Sequence, residues 1–540
     1  MRAFAVHLNH DSTLSVDLDG EMRNIELERV YGTRHFDARH EHPPVEALAE
    51  LLLAESATFD EGLTVGGVDD FARALCARLG VGAIRCVDHH VAHAAAAFYQ
   101  SPYDESLVLS YDGGGNDGTF RMFLASRAHG IRPLDGGHRL NLGIPYRAFA
   151  HAMSEIRKPD DGKERSNAGK LMGLAALGRT RREWEASVER FYHACSAIPL
   201  DSAMYRVVLE RLRELGPSLG LDLSRDALAG PDAHDLAATA QHVFEEIVLA
   251  VLLPAAVRLD RPICISGGCA LNVIVNQRLA READLPIFGP PNPNDSGLAA
   301  GALLWRSRPS APVELAYSGV GITDLQLLPA TVAEHGAVEA TPERVAGHLR
   351  NGHVVAVLRG ASEHGPRALG HRSILCDPSV PGMQARLNER VKFREGFRPY
   401  APVVRREDVG RFFEDARHDM SFMSFNPTVR APWREQLAAA MHVDHTARAQ
   451  TVSREQDPWL HDLLSAFERR SGFGALLNTS FNSKGRPMVT SIRDAVGLWL
   501  STDLDCLVVE SFLFTKVRPA GEAGPHGDGV RDRPSARLPQ

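Results

Sequence analysis

The chain opens with short runs in which apolar and polar positions alternate. Phe4 to Leu8 is apolar, Asn9-His10-Asp11-Ser12 carries turn chemistry, and Leu14 to Leu18 alternates, which predicts strand, turn, strand. Helical spacing follows over about 44–57 and 68–79, then a short buried strand at Ile84–Val87 and a helix at Val91–Tyr99. Ser106 to Tyr111 predicts a strand. It ends in the turn Asp112-Gly113-Gly114-Gly115-Asn116-Asp117-Gly118 and resumes as a strand at Thr119–Ala125. Backbone N–H groups of such a glycine-rich turn can face an anion. The stretch 183–259 reads as helical, with a buried portion at Val243–Leu253. A buried strand at Pro262–Ser266 is broken by Gly267-Gly268 and leads into a helix over Cys269–Leu279. A strand at Leu285–Phe288 and a helix at Gly297–Trp305 follow. Two strand–glycine-turn units flanking a helical block predict a duplicated α/β domain over 1–335. The Pro/Ser-rich stretch Ser307–Glu314 predicts a surface connection. Strands near Val354–Leu358, Leu476–Asn478 and Leu507–Glu510 mark a second α/β unit over 340–515. Residues 518–540 hold few large apolar side chains, which predicts a disordered tail.

The length, 540 residues, allows two to four domains at roughly 100–200 residues each. A hydrophobic share of 44% with 24% charged residues is globular composition. The net charge of −8 argues against a broad nucleic-acid-binding face. No window approaches about 18 uninterrupted apolar residues, so no membrane span is expected. The first residues lack the apolar core of a secretory signal. The seven cysteines are dispersed, with no CxxC zinc site and no disulfide framework, which points to a reducing cytoplasm.

His89 and His93 are four apart in Asp88-His89-His90-Val91-Ala92-His93, so on a helix both imidazoles share a face. That suits a metal pair, and equally a helix with hydrogen-bonded histidines. Asp112 ends a strand. Asp295 stands at a helix start, where N-capping is the plainer role. Two histidines with carboxylates and an exchangeable position suit Fe(II), Mn(II) or Zn(II). His10, in the first turn, is a general-base candidate if it faces such an ion. Only six of the 60 basic residues are lysine, so Lys170 in Gly169-Lys170-Leu171-Met172-Gly173 carries more information than usual. Gly267-Gly268 before a helix could admit a nucleotide. The second unit is denser, with Arg367, Arg372, Lys392, Arg394 and Arg398 within 32 positions, interrupted by glycine and proline. Guanidinium forks match phosphate and carboxylate oxygens, although a salt-bridged surface would use the same residues. Asn478-Thr479-Ser480 ends a strand with small donors.

Eight strings in order resemble the NodU/CmcH family of ATP-dependent O-carbamoyltransferases. They are DHHVAHAAAAF, SYDGGGNDG, GKLMGLAALG, GGCALN, NDSGLAAGAL, EHGPRALGHRSIL, REGFRPYAP and LLNTSFN, and they cover the chain to about residue 515. The resemblance implies a duplicated actin/sugar-kinase-like (threonylcarbamoyl-transferase-like) domain followed by a YrdC-like α/β domain. It implies that the YrdC-like domain makes carbamoyl-adenylate and pyrophosphate from carbamoyl phosphate and ATP, with Mg(2+). The first domain would then pass the carbamoyl group to a hydroxyl of a small natural-product acceptor, an antibiotic or a sugar, with help from Fe(2+) or another divalent metal. By the same resemblance His89, His93, Asp112 and Asp295 fall on metal ligands and His10 on the histidine near the acceptor. Arg367, Lys392, Arg398, Arg448, Asn478 and Ser480 fall on carbamoyl phosphate and ATP contacts. Gly114, Asn116, Lys170, Gly268 and Asn272 line a nucleotide pocket in the first domain. The first turn departs from the family pattern, which has a glycine just before the histidine and small residues after the aspartate.

The partners so implied are carbamoyl phosphate, ATP and a hydroxylated small molecule, with no nucleic acid and no membrane; a homodimer stays open. Three other readings compete. An actin-superfold phosphotransferase leaves the second cationic unit unexplained. A tRNA threonylcarbamoyl-type transferase sits poorly with the acidic balance. A non-enzymatic nucleotide-binding module would release no pyrophosphate.

Overall fold

Alternation in the first eighteen residues produces the expected hairpin: β1 (Arg2–His7) pairs antiparallel with β2 (Thr13–Leu18), Val6 opposite Leu14. The computed structural model describes residues 2–82, 84–114, 119–134, 140–156, 167–201, 203–416 and 418–516. Asn116 and the tail 518–540 lie outside the described residues. β3 (Glu21–Glu26) continues the meander, and β4 (Glu61–Val65) and β5 (Ile84–Val87) add parallel strands on the other side of β1. The order is β3-β2-β1-β4-β5.

The same topology recurs. β6 (Glu105–Tyr111), β7 (Phe120–Ser126) and β8 (Gly130–Pro133) form an antiparallel meander, while β9 (Ile263–Ser266) and β10 (Ile287–Phe288) extend it in parallel. Its order, β10-β9-β6-β7-β8, is the first sheet's order repeated strand for strand. The duplication expected from the sequence is therefore present in the backbone. Helices His89–Gln100 and Leu298–Ser307 pack together between the two sheets, burying Ala92, Ala96 and Gly301 at their contact. A block of helices, including Arg182–Ser196, Met204–Leu219 and Gly230–Leu259, is inserted between β8 and β9.

Three local expectations shift. β5 is not buried: Arg85 and Cys86 are exposed, because this is an edge strand with one face in solvent. The helix expected from Cys269 is a 3-10 turn, Gly268–Leu271, followed by a helix at Val273–Ala283. Asn272 restarts it by accepting the N–H groups of Ile274 and Val275. Asp295 is not an N-cap; the cap of the following helix falls on Gly297.

The later unit is one eight-stranded mixed sheet. Its strands are β11 (Val338–Glu339), β12 (Val355–Leu358), β13 (Arg372–Cys376), β14 (Ala401–Arg405), β15 (Gln450–Val452), β16 (Ala475–Ser480), β17 (Cys506–Val509) and β18 (Phe512–Thr515). They lie in the order β11-β18-β17-β12-β13-β16-β14-β15. Ile322, Leu327, Leu328 and Val332 pack against one of its cores.

The segment 362–365 docks this sheet onto the first unit. Arg29 donates to Ser362 Oγ at 2.9 Å, to the carbonyl of Glu363 and to that of Gly365 at 2.9 Å. Gly365 needs its glycine: at φ +121° a Cβ would meet the Pro291 carbonyl oxygen at 2.3 Å. His364 is buried, with Nε2 2.9 Å from the Ser296 carbonyl and Nδ1 3.0 Å from Asn292 Nδ2. Asn292 in turn accepts from Gln100, which fixes its orientation. Burial presses the His364 imidazole down to about 4, so the ring is neutral and its Nδ1 can accept.

A pH dependence follows. An unfolded histidine titrates near 6.5, so between about 4 and 6.5 the unfolded chain binds more protons and stability falls as pH falls. Thermal unfolding across this window should show a loss of up to roughly 3 kcal/mol from this group. In His364→Asn the midpoint should fall less steeply with acid than in the wild type.

Candidate active site

Four elements aim side chains at one point between the first two sheets. The helix His89–Gln100, capped by Asp88 accepting from Val91 N, turns His89 and His93 to one side. β6 ends at Asp112, and the 3-10 turn Asp295–Gly297 supplies Asp295. One ligand atom from each of the four lies within 4.8 Å of the others, and all four residues are buried. Asp112 Oδ2 is 3.1 Å from His89 Nε2 and 3.2 Å from His93 Nε2. Asp295 Oδ1 is 3.8 and 3.3 Å from the same atoms.

The second carboxylate oxygen of Asp112 is already committed. Oδ1 accepts N–H from Gly113 at 2.7 Å and from Gly268 at 3.1 Å, which leaves Oδ2 to face the histidines. Gly267 makes this approach possible: at φ +93° a Cβ would strike the Tyr111 carbonyl at 2.1 Å. Ser266 Oγ lies 3.3 Å from His93 Nδ1 and orients that ring from behind.

The electrostatics fit a cation. Burial pushes the His93 imidazolium down, yet hydrogen bonds and charges from Asp112 and Asp295 prevail and raise it to about 9. Burial pushes the Asp295 carboxyl up, but the charge of His89 and the nearby rings of His7 and His93 hold it well below the usual range. Two imidazoles and two carboxylates converging in a buried space suit a first-row divalent ion.

His10 Nδ1 is 3.4 Å from Asp295 Oδ2, and its side chain is 39% exposed, so it borders both the cluster and solvent. Asp11, at φ 56°, is anchored by His35 at 2.7 Å and by Asn294 Nδ2 at 3.2 Å. His7 was not foreseen. It ends β1 fully buried, 3.6 Å from Asp295 Oδ2. A histidine closing an otherwise apolar strand was the available signal.

The residues expected around a nucleotide in the first unit divide. Gly114 faces open space. Gly268 holds Asp112, and the Asn272 amide caps a helix and exchanges hydrogen bonds with Gln241. Lys170 is buried and sits 3.1 Å from Glu395 of the later unit. Its helix, Asn167–Ala175, packs Gly173 against Phe397 and Pro399.

In the later unit Arg367, Arg394, Arg398 and Arg448 converge. Burial pushes the Arg448 guanidinium well below its usual range, and the charges of Arg367, Arg394 and Arg398 push it further. Arg367 is lowered to about 10 by burial, then by Arg398 and Arg34. Among the described residues no carboxylate pairs with Arg367 or Arg448. Arg394 lies over the Tyr400 ring at 4.1 Å, and Arg398 is 3.4 Å from Glu395. Arg372 is not part of this group; its guanidinium is buried on the carbonyls of Arg359 and Gly360. Lys392 donates to the Ser480 carbonyl at 2.7 Å and to the Asn482 carbonyl at 3.1 Å, tying down the end of β16. Ser480 Oγ donates to Asn482. Asn478 donates to the Ala368 carbonyl at 3.0 Å, beside Arg367, while its buried Oδ1 has no hydrogen-bond partner among the described residues.

A family model described as carbamoyltransferase N-terminus matches residues 30–304, and one described as carbamoyltransferase C-terminus matches residues 346–516. The chain is 36% identical to nodulation protein NolNO of Sinorhizobium fredii, over 80% of this chain and 64% of that protein. It is 36% identical to nodulation protein NolO of Bradyrhizobium diazoefficiens, over 80% of this chain and 79% of that protein. The chain thus spans slightly less than two thirds of NolNO. Among solved structures, HypF of T. kodakarensis aligns at 14% identity with a TM-score of 0.32, covering 56% of this chain and 47% of that one.

The cluster makes a direct prediction about metal content. After dialysis, the wild type should retain a divalent ion at His89, His93, Asp112 and Asp295, and His93→Ala should retain one ion fewer than the wild type. Ser266→Ala should weaken binding by roughly 10- to 100-fold, read by elemental analysis against a competing chelator.

Proposed function

The chain belongs to the carbamoyltransferase family, and on that premise we propose that it is an ATP-dependent O-carbamoyltransferase with two sites in one polypeptide. In the later unit carbamoyl phosphate, water and ATP give carbamoyl-adenylate, inorganic phosphate and pyrophosphate. In the first unit the carbamoyl group passes to the hydroxyl of a small natural-product acceptor, and AMP leaves.

The observation that carries this reading is the guanidinium cluster. Four half-buried arginines press their charges together, and two of them face no carboxylate among the described residues. Such a group is stabilised by a polyanion, and its fixed positive charge lowers the energy of phosphate oxygens as charge develops on them. Asn478 adds specificity for the carbamoyl end. Its unpartnered Oδ1 can accept from a carbamoyl N–H, while its own amide is held by Ala368 and Gln450.

At the first site, His89, His93, Asp112 and Asp295 would hold a divalent ion, which would supply Lewis-acid polarisation. His10 stands at the edge of that cluster, half in solvent, where it can take the proton of an incoming hydroxyl. Asp295 Oδ2 places a carboxylate 3.4 Å from His10 Nδ1. The seam brings the sites together. His364 touches the backbone beside Asp295, and three residues later in the same loop comes Arg367. On the other flank Lys170 meets Glu395, next to Arg394. An enclosed passage between the sites is part of this proposal, because it would keep the adenylate from water.

The test is incubation with ATP, carbamoyl phosphate and a panel of hydroxylated natural products, reading pyrophosphate and a mass gain of one carbamoyl group. Arg367→Ala should lower carbamoyl phosphate-dependent pyrophosphate release on the order of 100-fold or more. His89→Ala should abolish acceptor carbamoylation and keep pyrophosphate release. Equal loss of both in folded His89→Ala, or release of ADP in place of pyrophosphate, would contradict the reading.

A further inference from the structure

Away from both sites, two imidazoles and a thiol converge at one end of the third sheet. His348 lies in the last turn of the helix Pro342–Arg350. The chain then reverses through Gly352, at φ +79°, and returns with His353 just before β12. Cys506 opens β17, which runs parallel to β12 with Val355 opposite Cys506. Sequence spacing gives no hint of this group: the histidines are five apart rather than four, and Cys506 is 153 residues beyond the nearer one.

The geometry is that of a ligand set. The two Nδ1 atoms are 3.0 Å apart, and Cys506 Sγ is 3.5 Å from His348 Nδ1 and 4.0 Å from His353 Nδ1. Zinc bonds of about 2.3 Å to sulfur and about 2.0–2.1 Å to nitrogen place tetrahedral neighbours roughly 3.3–3.6 Å apart. The three observed separations bracket that range. Cys506 is buried, while both histidines are half-buried, so a fourth position faces outward. Asp505 steadies the surrounding backbone: its carboxylate accepts from Val354 N and from Arg386 Nη2, both at 2.8 Å.

We propose that His348, His353 and Cys506 form a second metal site, selective for zinc(II) or a similar thiophilic first-row ion, with its fourth position open to solvent. Binding exchanges the Cys506 thiol proton, released to solvent, for a metal–sulfur bond. The ion then joins a helix end, a turn and a strand start, so that it stabilises the later unit by binding the folded form alone. The alternative for these atoms is a hydrogen bond between neutral imidazoles beside an inert thiol.

Cobalt(II) separates the two metal sites, because the cluster around His89 contains no sulfur. Full-length protein stripped by a chelator and titrated with cobalt(II) should develop an intense near-ultraviolet thiolate-to-cobalt band, displaced by zinc(II). The band should persist in His89→Ala and disappear in Cys506→Ser. His348→Asn, at a half-buried position that folding tolerates more easily, should weaken cobalt binding at least tenfold. Absence of the band in the wild type, its survival in Cys506→Ser, or unchanged cobalt affinity in His348→Asn would overturn the proposal.

Discussion

Glu363 is a buried carboxylate that gathers the backbone of the loop joining β12 to β13. Its Oε1 receives the N–H groups of Leu369 at 2.7 Å, Gly370 at 3.1 Å, His371 at 2.9 Å and Arg372 at 3.1 Å. Burial alone would push this carboxyl up. The charges of His371 and Arg372, with the backbone donors, hold it below the usual range, so it stays an acceptor. The closed turn carries Arg367 within it and presents His364 and Gly365 to the first unit.

The two pockets solve opposite charge problems. In the first, two carboxylates face two imidazoles in a buried space, and the imbalance favours an added cation. In the second, guanidinium groups crowd one another, and the imbalance favours an added polyanion. Crowding of like charge in the second pocket is unfavourable unless a counter-charge offsets it. The seam through Arg29, His364 and Lys170 joins the two units that carry these residues.

Much of this was legible in the chain. Apolar alternation located β1, β2, β6, β9 and β12 within one or two residues, and the repeated strand–glycine-turn pattern signalled the duplicated sheet. The i, i+4 spacing of His89 and His93 put them on one face, and the structure brings Asp112 and Asp295 to it. Other features depend on pairs far apart in sequence, which periodicity cannot reveal. Lys170, expected at a nucleotide pocket, also stands beside Glu395 of the later unit. Lys392, expected at phosphate, also reaches the carbonyls of Ser480 and Asn482. Arg372 looks like one more surface cation, yet it is wholly buried on backbone oxygens. His7 and the group around Cys506 were hidden for the same reason: their partners are brought close only by the folded sheets.

The claim at the centre of this account is that one chain makes an activated carbamate in one pocket and spends it in another across a tight seam. The direct measurement is the ratio of pyrophosphate released to acceptor carbamoylated, in the wild type and in Arg29→Met, which removes the hydrogen bonds to Ser362, Glu363 and Gly365. The account predicts a ratio near one in the wild type and a clear rise in the variant, as the adenylate leaks to water. An unchanged ratio in a variant that still turns over, or a wild-type ratio far above one, would contradict it.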